Sequence, residues 1–100
     1  MGAFFSKVTV KFLGAAREKA GVREETLELE GGMTILQILQ ALTTKHGEKL
    51  KAYLFDPDSG TPRPHLQFLL NGRSAAMLGG FSARVAEDVT MMIFPPTSGG

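Results

Sequence analysis

The last seven residues, Phe94-Pro95-Pro96-Thr97-Ser98-Gly99-Gly100, are the arrangement in this chain best suited to chemistry. Two consecutive prolines cannot donate to a sheet and force extended backbone, so they stop a strand and act as a stiff spacer. Two small polar residues and a diglycine follow. At roughly 3.3–3.6 Å per extended residue, the stretch after Phe94 reaches about 20 Å at most. Glycine has no Cβ, so such a tail fits a channel too narrow for side chains and delivers the Gly100 carboxylate into another protein's active site. The competing reading is a plain chain end whose glycines are an accident of composition, in a chain with 12 of them.

Other chemistry is sparse. The chain has no cysteine, which excludes disulfides, zinc knuckles, iron–sulfur clusters and thiol catalysis. His46 and His65 fall in different elements, one at a helix end and one at a strand entry, so no metal site is expected. Asp56 and Asp58 flank Pro57 and read as turn residues rather than cation ligands. The stretch from Gly14 to Gly21 lacks the Gly-Lys-Ser/Thr ending of a phosphate loop. Met91 and Met92 read as packing. Lys45, Lys49 and Lys51 form a local basic cluster, either a solvated helix face or a docking patch for an acidic partner.

The elements that position the tail follow from periodicity. Val8, Val10 and Phe12 alternate with Thr9 and Lys11 as in a half-buried strand, and Leu27 and Leu29 mark a second. Together they suggest a hairpin whose connection, Gly14 to Gly21, reads as a loop. Thr34 and Gln37 form a capping box, with Met33 and Ile38 as a hydrophobic staple. Ile35, Ile38, Leu39 and Leu42 then share one helical stripe. Lys45 and His46 complement the helix dipole, and Gly47 suits a left-handed end. A short helical piece over 48–55 turns Leu50, Tyr53 and Leu54 inward, and residues 56–64, with three prolines, are loop. A strand over 66–70 ends at Asn71-Gly72, a hairpin-turn pair, and returns over 73–78. Gly79-Gly80 marks a bend and 86–88 a turn. Val89 to Phe94 is apolar on both faces, as expected for a central strand covered on both sides and lying parallel to the first. This order predicts an α+β β-grasp, a mixed sheet of four to five strands with one main helix across one face.

Eleven Lys+Arg against ten Asp+Glu leave a net charge of +1, with no global pull toward nucleic acid or anionic lipid. No apolar run approaches the roughly 18–20 residues of a membrane span, and Met1 to Lys7 do not resemble a secretory leader. The expectation is a single domain over 1–100, with 95–100 an exposed tail, located in the cytoplasm.

The chain resembles the ubiquitin-like β-grasp sulfur carriers, particularly the small subunit of molybdopterin synthase and the archaeal small modifier proteins. The resemblance covers nearly the whole chain. Its most specific part is the Phe-Pro-Pro-x-x-Gly-Gly ending, supported by Val10 to Glu18 with Ala20-Gly21 and by Leu70-Asn71-Gly72. The 55–64 loop and Leu78-Gly79-Gly80-Phe81 are more similar to the modifier-like members.

The resemblance implies that Gly100 is the reacting group, presented by Pro95, Pro96, Thr97, Ser98 and Gly99. An ATP-dependent activating enzyme of the ubiquitin-activating type would adenylate it; the protein itself holds no cofactor. Attack by the persulfide of a sulfur donor protein would give a thiocarboxylate, and attack by a lysine amine an isopeptide bond. The implied partners are therefore that enzyme, the donor, and either a molybdopterin synthase large subunit or target lysines. Phe94, Leu13 and Arg17 match partner-facing positions, with ordinary core packing as the alternative for Phe94 and Leu13. On this view the protein is a carrier or modifier rather than an enzyme. A non-catalytic β-grasp interaction module remains the third reading.

Overall fold

A computed structural model describes residues 5–95. In chain order these form β1 (Phe5–Phe12), α1 (Ala15–Ala20), β2 (Glu24–Glu30), β3 (Met33–Thr34), α2 (Ile35–His46), α3 (Glu48–Leu54), β4 (Gln67–Leu70), β5 (Arg73–Ser74), a 3₁₀ turn (Ala76–Leu78), β6 (Arg84–Val85) and β7 (Val89–Phe94). The main sheet has the order β2-β1-β7-β4-β5. β1 pairs antiparallel with β2, and parallel with β7, so that Val8 faces Val89 and Phe12 faces Ile93. β4 runs antiparallel to β7. The expected mixed sheet of four to five strands is therefore present with five, and β1 and β7 lie side by side at its centre.

Alternation in β1 and β7 sends Val8, Val10, Phe12, Met91 and Ile93 to one face, all buried. There they meet Ile35, Ile38, Leu39 and Leu42, the stripe of α2, in the same core. The capping box forms as the sequence requires: Thr34 Oγ1 accepts from Gln37 N–H at 3.1 Å, and Gln37 Oε1 accepts from Thr34 N–H at 2.9 Å. Leu50 and Leu54 of α3 complete the core. Asn71 and Gly72 both take positive φ, 50° and 85°, as the β4–β5 hairpin turn demands. Asp56 Oδ1 accepts from Asp58 N–H at 2.8 Å, so this aspartate pair shapes a turn.

Four expectations need correction. The Gly14–Gly21 connection is not a loop but holds α1, in which Ala16 and Ala20, one helical turn apart, are buried. Its residues Ala-Ala-Arg-Glu-Lys-Ala are strong helix formers, and the flanking glycines bound it. The return strand predicted over 73–78 stops at Ser74 and gives way to the 3₁₀ turn. Gly47 has φ 99° but ψ −170°, an extended mirror-image geometry rather than the left-handed helical one, because it also leads straight into α3. Finally, among the described residues β7 is covered on one face only. Met92 and Phe94 on its other face are half-buried, with no helix over them. A two-residue pairing of β3 with β6, invisible to periodicity, ties the start of α2 to the chain before β7.

Candidate functional site

The root of the tail is gripped from both sides. On one side the parallel ladder extends past β1, where Leu13 N–H donates to the Ile93 carbonyl at 3.2 Å. On the other, Phe94 pairs with Gln67. Pro95 has no N–H and ends the ladder. Gly14 lies against it: a Cβ on Gly14 would sit 3.1 Å from Pro95 Cγ. Gly14 also has φ 59° and ψ −132°, a geometry that side-chain-bearing residues avoid. Both properties demand glycine, so the β1–α1 connection fixes where β7 leaves the fold.

The helix-free face of the sheet has two halves. On β1 and β2, Lys7 stands opposite Glu28 and Lys11 opposite Glu24, with Thr9 opposite Thr26 between them. These pairs make a charged, solvated half. On β7 and β4 the outward positions include Met92, Phe94 and Leu69, all half-buried, with Met92 and Leu69 in register, and the polar Thr90 and Gln67 bound them. This apolar half leads along β7 to Pro95. Beyond β5, Met77 is 75% exposed.

Of the expected site residues, the fold brings Leu13, Phe94 and Pro95 together at the tail root. Leu13 and Phe94 are half-buried rather than core. Arg17 is exposed on α1, with no side-chain hydrogen bond or ion pair among the described residues. Pro96, Thr97, Ser98, Gly99 and Gly100 lie outside the described residues. Three residues were missed by sequence reasoning. Met92 reads as packing and Leu69 only as part of the 66–70 strand, because alternation does not say which face a helix covers. Gly14 was read as loop, though glycine directly after an apolar strand was the available signal.

The basic cluster of Lys45, Lys49 and Lys51 does not form one patch. Lys45 pairs with Glu25 of β2, and His46 Nε2 lies 3.3 Å from the other oxygen of that carboxylate without reaching hydrogen-bond geometry. Hydrogen bonding from Lys45, reinforced by the charge of Lys45 and by His46, holds the Glu25 carboxyl below its ordinary value. His46 also packs edge-on to Phe12, with ring centroids 5.8 Å apart. It is thus a wall of the core over β1, with the Glu25 carboxylate beside it. No helix among the described residues is long and apolar enough to cross a membrane.

The geometry has clear relatives. The profile of the ThiS family matches residues 10–100. Small archaeal modifier protein 3 of Haloferax volcanii is 24% identical over 94 residues, covering 94% of this chain and 99% of that protein. The crystal structure of small archaeal modifier protein 1 from the same organism superposes with a TM-score of 0.80 at 27% identity, covering 95% of this chain and all of that one. A protein assigned as molybdopterin converting factor subunit 1 of Pyrococcus furiosus gives 0.70 at 27% identity, over 92% of this chain and 99% of that one. With the β-grasp sheet, the capped helix and the gripped final strand all in place, the chain belongs to the ThiS family of ubiquitin-like carriers and modifiers.

Proposed function

We propose that this protein is a sulfur carrier of the molybdopterin synthase small-subunit type, working through the carboxyl carbon of Gly100. The observation that carries the reading is the family match running through residue 100, where Phe-Pro-Pro-x-x-Gly-Gly ends. Its support in the fold is a final strand gripped as far as Pro95 beside an uncovered apolar face.

A carboxylate resists nucleophiles through resonance and negative charge. An activating enzyme removes both obstacles: a carboxylate oxygen of Gly100 attacks the α-phosphorus of ATP, pyrophosphate leaves, and an acyl-adenylate forms. ATP serves that partner. The terminal sulfur of a donor's persulfide then attacks the acyl carbon and expels AMP. A second thiol cleaves the resulting S–S bond, leaving a thiocarboxylate on Gly100 and a disulfide on the donor. The absence of cysteine keeps the activated acyl group from capture within the chain. Leu13, Met92, Leu69 and Phe94 form the surface for the partner that takes up the sulfur, and Arg17 supplies a charge beside it. The machinery implied is cytoplasmic.

A second reading has its own support, because the relatives include proteins named as modifiers. In it, a lysine amine of a target attacks the activated carbon and leaves an isopeptide bond.

Incubation with ATP, a candidate activating enzyme, a persulfide-bearing sulfur donor with a reducing thiol, and lysine-bearing target protein, read by intact mass, separates these readings. One oxygen-for-sulfur exchange at the C-terminal peptide supports the carrier, and larger adducts through lysine support the modifier. A chain left unchanged under conditions that convert small archaeal modifier protein 1 refutes both. Deleting Gly100 removes either product.

A further inference from the structure

Four basic side chains converge on a concavity that the tail chemistry does not use. Lys19 of α1, Lys49 of α3, and Arg63 and His65 ahead of β4 line a cavity of about 430 Å3, together with Ala52 and Tyr53. Among the described residues no carboxylate lines it. Among the described residues Lys19, Lys49 and Arg63 form no ion pair; the pairs found there join Lys45 and His46 to Glu25. This contrasts with β1, where Lys7 and Lys11 each face a glutamate across the strand pair. Water and salt weaken the repulsion among these charges, the exposed Lys19 and Lys49 above all, and an anion placed between them would be attracted by all of them at once.

Two features mark the concavity as organised. Arg63 is fixed before any ligand arrives. Its Nε and Nη2 donate to the Ala52 carbonyl at 3.1 and 3.0 Å, and its own N–H donates to the Leu54 carbonyl at 2.8 Å. Its Nη1 has no partner among the described residues. Tyr53 contributes the second feature. Its hydroxyl oxygen is shut from solvent and has no hydrogen-bond partner among the described residues. Such orphans are rare in folded proteins and commonly mark a place for water or an ion. Burial raises the Tyr53 pKa, so the hydroxyl stays a donor at neutral pH.

We propose that this cavity binds a phosphate-type oxyanion, with Lys19 and Lys49 as point charges, Arg63 as the directed donor, and Tyr53 as part of the wall. A tetrahedral oxyanion has enough acceptor oxygens for several converging donors and carries up to two or more charges. A carboxylate has two oxygens and one charge. Guanidinium and ammonium donors are the usual set for phosphate. The positive region is also small. Lys45 is neutralised by Glu25, and Lys51 lines a different cavity with Glu48 and Asp56. A nucleic-acid backbone would need a basic stripe, whereas this surface holds a single group.

The test titrates the full-length isotope-labelled chain with pyrophosphate, with inorganic phosphate and with AMP, at constant ionic strength, following amide shifts. Saturable shifts confined to residues 19, 49–53, 63 and 65 are expected. AMP against free phosphate tells whether the bound group is free or carried on a nucleotide. Lys19→Gln with Lys49→Gln, both exposed side chains, should weaken binding about tenfold or more, the effect of losing a charge-assisted contact. Arg63→Lys, which keeps the charge but loses the guanidinium fork, should weaken it as well. Shifts that fail to saturate, or that spread equally to Lys7 and Lys11, overturn the proposal. So does a glutamate-rich peptide that binds these residues more tightly than phosphate does.

Discussion

Replacing Gly14 by alanine tests the grip on the tail root. Gly14 combines φ 59° and ψ −132° with Pro95 Cγ 3.1 Å from the position of an added Cβ. A side-chain-bearing residue forced into so sparsely populated a region costs about 1–3 kcal/mol. The contact adds to this, because Pro95 must move by a few tenths of an ångström or the β1–α1 connection must. At roughly 4–8 °C of melting temperature per kcal/mol for a domain of this size, the melting point should fall by about 5–20 °C. Gly21→Ala is the control. Gly21 also has positive φ, 81°, but nothing lies within 4 Å of its added Cβ. It should destabilise by about 1–2 kcal/mol without disturbing β7. The two variants should differ at one more observable, hydrogen exchange of the Leu13 amide, whose bond to Ile93 spans the displaced region. Exchange should quicken in Gly14→Ala beyond what its global stability explains, and not in Gly21→Ala. A Gly14→Ala protein melting within about 2 °C of the parent, with unchanged exchange at Leu13, would refute the reasoning.

Thr34→Ala removes one arm of the capping box and should cost about 1 kcal/mol, measured by urea unfolding. Met92→Glu places a carboxylate beside Lys11 in the parallel register, so stability should change by less than about 1 kcal/mol. Binding of the sulfur-accepting partner, read by calorimetry, should nevertheless weaken more than about tenfold, because a charge would be buried in an apolar contact. Glu25→Gln tests the link between β2 and α2. The Glu25 carboxyl sits below its ordinary value of 4.5 when folded, so its contribution is fully present above that pH and is lost as pH falls through the depressed folded value. Urea unfolding should therefore show wild type more stable than Glu25→Gln at pH 7 and the gap closing as pH falls through the depressed folded value. A gap that persists in acid would show that the loss is not electrostatic.

Local signals in the sequence determined much of this protein. The capping box at Thr34 and Gln37, the stripe of Ile35, Ile38, Leu39 and Leu42, the alternation of β1 and the Asn71-Gly72 turn all act within a few residues, so each is readable from spacing alone. The Phe-Pro-Pro ending is legible for the same reason: proline restrains its own backbone wherever the strand lies. The sheet's outer face was decided only in three dimensions. The apolar outward residues of β7 suggested a strand buried on both sides, yet α2 can cover only one, and Met92, Leu69 and Phe94 are left as a surface. Helix α1 escaped notice because six residues between glycines show too little periodicity to outweigh them. The dispersal of Lys45, Lys49 and Lys51, and the meeting of Lys49 with Lys19 and Arg63, depend on how α1, α3 and the β4 approach pack. Charges distant in the chain become neighbours only when burial of the apolar faces has set those elements side by side.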